Sequence, residues 1–314
     1  MKISVIIPAY NASATIDATI GSVLGQTHSA DEILVLDDGS TDDTFARLQT
    51  YGSKIKVFKQ SNHGLAHARN FLCHQATGDL VAFLDADDVW HPDYLKTQFN
   101  QFVKYPEANA LFCGHIVFKG NEQLPWSKQK EQIREEVIDP ASFLTRYNRA
   151  PGPFFPSFCC VPRRFLNQIG EEPFPVKFRR AEDFWFMNSL PLYGKPVIYN
   201  PTPLVAYRLT PGSLSSDRIK NTALALNALE ILKEKYHARR ELLPAFQVVF
   251  ASLRRGYAKL LLGAGRRREA RAELRASLRN YFHPASVAKS FGLLILSHLP
   301  EKFQPAWPSE YRDS

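Results

Sequence analysis

The first 90 residues alternate between short β-branched runs and amphipathic helical stretches, an order that few folds accept. Ile3-Ser4-Val5-Ile6-Ile7 reads as a strand, and residues 13–25 carry Ile16, Ile20, Val23 and Leu24 at helical spacing. Glu32 to Leu36 is a second strand, Thr44 to Leu48 a short helix, and Lys54 to Phe58 a third strand. A helix over Gly64 to Gln75, with Leu65, Ala68, Phe71 and Leu72 on one side, leads to a fourth strand over Asp79 to Leu84. Strand–helix repeats of this length build βαβ units and a parallel sheet, and near-continuous apolar strands fit a sheet covered on both faces. The expected class is α/β, a Rossmann-like, mostly parallel sheet flanked by helices.

In such sheets the ligand crevice lies beyond the carboxyl ends of the strands. Strand one ends in Pro8-Ala9-Tyr10-Asn11, strand two in Asp37-Asp38-Gly39-Ser40, and strand four in Asp85-Ala86-Asp87-Asp88. The rim is therefore expected to hold an aromatic ring and two carboxylate clusters. No G-x-G-x-x-G follows strand one and no G-x-x-x-x-G-K-[ST] occurs, which argues against a dinucleotide site and a P-loop. Asp85 and Asp87, at i and i+2 on extended chain, point the same way and suit one hard cation such as Mg²⁺ or Mn²⁺. Asp88 is then expected to cap the helix that begins near Pro92. Tyr10 can stack on a base, and a carboxylate of the second cluster can accept from a base edge or ribose. Arg69 lies inside the third helix, where it is a solvated side chain or a directed donor to a diphosphate. His63 and His67 are a turn apart but lack a third ligand nearby.

These strings resemble family 2 glycosyltransferases. The resemblance rests on Ser4-Val5-Ile6-Ile7-Pro8-Ala9-Tyr10-Asn11, Leu36-Asp37-Asp38-Gly39-Ser40-Thr41-Asp42, Gly64-Leu65-Ala66-His67-Ala68-Arg69-Asn70 and Phe83-Leu84-Asp85-Ala86-Asp87-Asp88, in the family's order. It is strong over residues 3–99 and patchy to about 216. It implies a GT-A fold, a nucleotide-sugar donor (UDP-linked on this reading) and a divalent cation, Mn²⁺ or Mg²⁺. It implies a donor site formed by Pro8, Ala9, Tyr10, Asp38, Arg69, Asp85, Ala86 and Asp87. Tyr10 would lie against the base, Asp38 near base or ribose, Arg69 near base or phosphates, and Asp85 near ribose and metal. Asp87 would be the metal ligand proper. Ala181-Glu182-Asp183-Phe184-Trp185-Phe186 matches the family's Glu-Asp pair, which makes Asp183 the general base of an inverting transfer to a saccharide or lipid-linked glycan hydroxyl, in surface polysaccharide synthesis. Two departures stand out. Phe174-Pro175-Val176 replaces Phe-Asp-Glu, and Tyr207-Arg208-Leu209-Thr210 lacks the family histidine, which would pass its work to Arg208 or Ser213. The rival readings are a nucleotidyltransferase, which wants a Gly-rich basic loop after strand one, and an inactive nucleotide-sugar-binding scaffold.

Between 107 and 215 the pattern is broken. Asn109 to Val117 reads as a strand, Asp139 to Tyr147 as a short helix, Pro151, Pro153 and Pro156 as loop, Ala181 to Leu190 as a helix, and Pro203 to Arg208 as a strand. From Ile219 onward the pattern is helical: one helix limited by Pro244, one over Val248 to Leu262, and one over Arg266 to Tyr281. The expected domains are a catalytic one at 1–216 and a basic helical one at 217–314. Charge divides the same way. Arg218 to Arg279 carries +10 within a chain of net charge +8, so the remainder is slightly acidic. The basic helices suit anionic lipid headgroups, with Val287 to Leu299 lying in the interface, or solvated packing on the catalytic domain. No nucleic-acid motif is present, and nucleic acid is not an expected partner. Pro8 ends the first apolar run too early for a signal peptide, and no run reaches the ~18 apolar residues of a spanning helix. A cytoplasmic protein, peripheral on the inner face of the membrane if the tail binds lipid, is expected. Cys73, Cys113, Cys159 and Cys160 lack zinc spacing and read as free structural thiols.

Overall fold

The computed structural model describes residues 1–120, 124, 126, 134–149, 154–178, 180–209, 217–279 and 284–298. Two compact units are present, Met1–Pro140 with Pro151–Pro211, and Ala141–Ala150 with Gly212–Ser314. The first unit opens with β1 (Ile3–Ala9), α1 (Ile16–Leu24), β2 (Glu32–Asp38), α2 (Thr44–Gln49), β3 (Lys56–Gln60), α3 (Leu65–Gln75) and β4 (Leu80–Phe83). It continues through β5 (Val89–Trp90), α4 (Tyr94–Lys104), β6 (Ala110–Phe118) and β7 (Glu136–Ile138). After α5 (Pro140–Arg149), most of which belongs to the second unit, come β8 (Cys159–Pro162), α6 (Arg163–Ile169), α7 (Glu182–Ser189) and β9 (Val197–Arg208).

One sheet runs in the order β3-β2-β1-β4-β8-β6-β9-β5, with β7 on β9. The β1–β2, β2–β3, β1–β4 and β6–β9 pairs are parallel. The remaining pairs are antiparallel. Every residue of β1 and β4 is buried, as strands covered on both faces require. The outer strand β3 carries Lys56 and Lys59, charges that discourage pairing along an open edge. The sequence visits β1, β2 and β3 on one side and returns to β4 on the other. The crevice beyond the ends of β1 and β4 is thus the topological switch point, where ligands of open α/β sheets bind. The α/β class with a helical C-terminal region matches the expectation.

Two elements depart from it. β9 begins at Val197 rather than Pro203 and carries Pro201 and Pro203 inside the strand. Proline donates no ladder hydrogen bond, so its presence marks a bulge, and the β6–β9 register does shift on both sides of Gly114. A side chain at Gly114 would stand 2.3 Å from the Pro201 carbonyl oxygen, so only glycine lets the bulge close. Nor does Asp88 cap a helix. The next helix, α4, starts at Tyr94 with Asp93 at its N-cap position, and Asp88 is buried ahead of β5.

The second unit holds α8 (Arg218–Ala238), α9 (Leu243–Gly263), α10 (Arg267–Arg279) and α11 (Pro284–Leu296). Ala258, Leu261, Leu262, Ala270 and Leu274 form its inner cluster, with Leu293 and Leu294 packed on it. Arg254 joins three helices by pairing with Glu230 of α8 and with Glu273 of α10 at 2.6 Å. No described helix is long and apolar enough to cross a membrane. All four cysteines are buried and free.

Gly114→Ala is expected to lower unfolding free energy by about 1–3 kcal/mol, the cost of overpacking a closed site. Urea denaturation checks this, and a change below ~0.5 kcal/mol would mean that the bulge is not sterically closed.

Candidate active site

The exits of β1 and β2 are laced together by short polar side chains. Asn11 adopts the left-handed backbone region, with φ 48°. Its N–H donates to Ser40 Oγ at 2.9 Å, and its Oδ1 accepts from the Thr41 N–H at 2.8 Å. Thr44 Oγ1 accepts the Ala12 N–H at 2.7 Å. Pro8 and Ala9 are buried within β1, whereas the Tyr10 ring emerges 51% exposed beside the switch point.

Asp38 does not stand open on this rim as expected. It is buried, and its Oδ1 accepts from Gln60 Nε2 at 2.6 Å and the His63 N–H at 2.9 Å, while Oδ2 accepts the Gly64 N–H at 2.8 Å. A carboxylate so engaged braces the loop before α3. Gly39, at φ +77°, turns the chain against that loop, where a side chain would stand 2.6 Å from the Asn62 nitrogen. The His63 and His67 rings lie 4.9 Å apart and tilted by 34°, and their ring nitrogens meet Ser61 and Gln60.

Arg69 is also placed differently from either expectation. It is 1% exposed, inside α3, and its guanidinium joins two carboxylates that are far apart in sequence. Nη2 donates to Asp85 Oδ1 at 2.7 Å, and Nη1 donates to Asp183 Oδ1. The Phe174 ring packs under it at 5.4 Å. Burial works to discharge the guanidinium, but Asp183, Asp85 and Glu182 overcome it and push its pKa up. The adjacent Asn70 side chain clamps the Phe174 backbone, donating to its carbonyl at 2.7 Å and accepting its N–H at 3.0 Å. Phe174 in turn stacks on Phe186 of α7 at 4.5 Å. Two successive residues of α3 thereby fix both the end of β4 and the start of α7. The Phe174-Pro175-Val176 departure keeps the aromatic that this anchoring needs.

The Asp85–Asp88 turn is held by its backbone. Thr15 Oγ1 donates to the Ala86 carbonyl at 2.8 Å, and Thr19 Oγ1 lies 2.9 Å from the carbonyl oxygens of both Ala86 and Asp88. Ser157 Oγ accepts the Asp85 N–H at 2.9 Å. Arg208 donates Nε to the Asp87 carbonyl at 2.8 Å and its backbone N–H to Asp88 Oδ1 at 3.0 Å, and Nη1 donates to the Gly120 carbonyl. Arg208 is therefore a brace of this turn. Burial pushes the Asp88 carboxyl well above the usual range, with Asp87 and Asp85 adding, against hydrogen bonds from Arg208 and Ser157. Ser157 was not singled out from the sequence, because it lies among prolines with no readable pattern. Thr210, Ser213 and Ser215 lie outside the described residues.

Asp85 and Asp183 keep 31% and 35% side-chain exposure, each giving Arg69 only one oxygen. Enclosure by the protein pushes the Asp183 carboxyl up to about 7 against the pull of Arg69, and Glu182 and Asp85 add to the rise. Glu182 is buried, and its Oε2 accepts no hydrogen bond among the described residues. Among the described residues, Asp85, Asp183 and Glu182 bring three carboxyl groups to the guanidinium of Arg69, and Asp87 and Asp88 add negative charge beside Asp85. Such an excess of hard oxygen donors fits a divalent cation on Asp85 and Asp87, its remaining positions filled by ligand oxygens and water.

The family model "Glycosyl transferase family 2" matches residues 4–170. An uncharacterized glycosyltransferase of Nostoc sp. is 51% identical over 100 residues, 31% of each chain. The putative teichuronic acid biosynthesis glycosyltransferase TuaG of Bacillus subtilis is 46% identical over 223 residues, 69% of this chain and 83% of that protein. The chain spans between 29% and 57% of the length of the first curated relatives it matches. Among solved structures, residues 1–349 of S. aureus TarS superpose with TM-score 0.65 at 20% identity, covering 95% of this chain and 90% of that one. That fragment has also been solved in complex with UDP-GlcNAc. At this identity the likeness is one of fold.

Arg69→Met should destabilise the protein by about 3 kcal/mol at pH 8, because it leaves neighbouring carboxylates uncompensated. The deficit should shrink at pH 5, where Asp183, pushed up to about 7, takes up a proton. Urea unfolding at both pH values tests this. A deficit independent of pH would show that Arg69 acts by packing alone.

Proposed function

The chain belongs to glycosyl transferase family 2, and from that premise we propose that it moves one sugar from a nucleotide-diphosphate donor to a hydroxyl of a saccharide or lipid-linked glycan, with inversion. The observation that carries this reading is the Arg69 bridge, which sets Asp183 beside Asp85 at the sheet's switch point. Asp183 is the general base. Arg69 engages Oδ1, so Oδ2 is the oxygen that takes the acceptor proton, and a carboxyl titrating near 7 is matched to that task at neutral pH. One base opposite the leaving group suffices for single displacement, with no second nucleophilic carboxylate. Tyr10 stacks on the base of the nucleotide, and the UDP-GlcNAc complex of TarS supports a UDP-linked donor. Asp85 and Asp87 would hold Mn²⁺ or Mg²⁺, which supplies positive charge to offset a leaving diphosphate. The likeness to TuaG, a putative teichuronic acid biosynthesis glycosyltransferase, supports surface polysaccharide synthesis. The rival nucleotidyltransferase reading lacks a basic glycine loop after β1.

Residues 1–216 carry this chemistry in the proposal. Residues 217–314 supply peripheral contact with anionic lipid at the cytoplasmic face. Their net charge supports that contact, as do Phe291 and Ile295, one turn apart on α11 and 56% and 52% exposed.

Release of UDP from a panel of UDP-sugars with Mn²⁺ should single out a donor. Asp183→Asn should lower kcat by roughly 10²–10⁴ while UDP affinity is kept. A variant with full activity would remove Asp183 as base. In the wild type kcat/KM should rise with pH through about 7 and then level, because the base must be deprotonated; a flat profile contradicts the assignment. In flotation assays, vesicles containing anionic lipid should carry the protein at low salt and lose it at high salt. Salt-insensitive behaviour would leave the tail to packing.

A further inference from the structure

Next to the acidic site the first unit carries an aromatic surface. Val117 faces Tyr207 across the β6–β9 pair, and His115 faces Val205, so His115, Val117 and Tyr207 share one face of the sheet. The loop before β8 lays two phenylalanines on that face. Phe155 is near-parallel to Tyr207, with centroids 6.5 Å apart and planes 14° apart. Phe158 meets Tyr207 edge-on at 6.0 Å and stacks on His115 at 4.6 Å. Phe158 is buried, but Phe155 and Val117 remain 39% and 52% exposed. A phenylalanine and a valine left open beside a half-buried tyrosine form a surface that core packing does not explain.

The platform is contiguous with the residues that fix the acidic turn. Phe155 stands two positions before Ser157, which accepts the Asp85 N–H. Tyr207 immediately precedes Arg208, which holds Asp87 and Asp88. Burial raises the Tyr207 phenol, and Asp88, Asp87, Asp85 and Asp183 add to the rise, so this hydroxyl lies within electrostatic reach of the cluster and stays protonated at neutral pH. Burial lowers His115, which keeps the platform uncharged.

The chemistry selects a ligand. An aromatic face is the negative side of the ring quadrupole. The C–H groups of a pyranose, polarised by neighbouring oxygens, are its natural partners, while the sugar hydroxyls keep polar contacts at the edges. The surrounding carboxylates disfavour a second anion at close range. We propose that Phe155 and Tyr207, backed by Phe158, His115 and Val117, form the acceptor subsite, a platform that takes the C–H face of a neutral pyranose and presents its hydroxyl to Asp183. The inference rests on the glycosyl-transfer reading for the role of the bound sugar, but the binding surface can be tested alone.

Saturation-transfer NMR on the full chain, with UDP, diamagnetic Mg²⁺ and methyl β-D-glucopyranoside as the probe, reads the contact directly. Saturation is expected on the C–H protons of the glucoside ring. Phe155→Ala should lower that signal roughly fivefold, as loss of about 1 kcal/mol of stacking implies. Phe155→Trp should restore it, and methyl β-D-glucuronide should give a weaker signal than the neutral glucoside. The uracil and ribose resonances of UDP in the same samples report whether each variant is folded at the donor side. The proposal is overturned if the wild type gives no sugar signal, if Phe155→Ala gives an undiminished one, or if the glucuronide binds better. Sugar contact in a protein that releases no UDP from any UDP-sugar would uphold the platform and sink the transfer reading. UDP release without sugar contact would do the reverse.

Discussion

A guanidinium with almost no exposure, set between carboxylates from different parts of the chain, is the constraint on which the rest of the site depends. Taking Arg69 out of water is costly, and the structure offsets that cost only because Asp85 and Asp183 both reach it. The pairing works in both directions. Without the guanidinium the two carboxylates would repel each other and Glu182, and without them the guanidinium would be an unpaired buried charge. The end of β4 and the start of α7 are therefore held to α3 by one side chain. Asn70 repeats the connection through the backbone of Phe174.

Around that centre, hydrogen bonds to the backbone do much of the positioning. Thr15, Thr19, Ser157 and Arg208 all grip main-chain atoms of the Asp85–Asp88 turn. A turn restrained through its amides and carbonyls can present Asp85 and Asp87 in one geometry. Asp38 shows the opposite use of a carboxylate. Both of its oxygens are committed to the loop before α3, so its part in the site is to shape the rim.

The parallel half of the sheet was legible because its signal is local. β1, β2 and β4 are apolar on both faces and bounded by polar turns, and hydrophobic period alone identifies them. The expectation for β9 fell short because Pro201 and Pro203 read as breakers, and only the glycine opposite them allows the strand to continue. Asp88 was misread for a related reason. A carboxylate ahead of a helix looks like a cap, and nothing in the local sequence reveals that Asp88 Oδ1 instead accepts the N–H of Arg208, 120 positions later.

Residue order by itself determined the α/β class, the family to which the chain belongs, and which strand ends carry polar side chains, since these follow from periodicity and from short motifs. Tertiary structure alone decided which of those side chains are buried, paired or exposed. Burial and pairing are set by neighbours distant in sequence: Asp38 turned inward onto two backbone amides, Arg69 became a buried bridge, and Phe155 and Tyr207 came together on one face. Hydrophobic pattern fixes where a chain crosses the core, but the environment of a charge depends on everything packed around it.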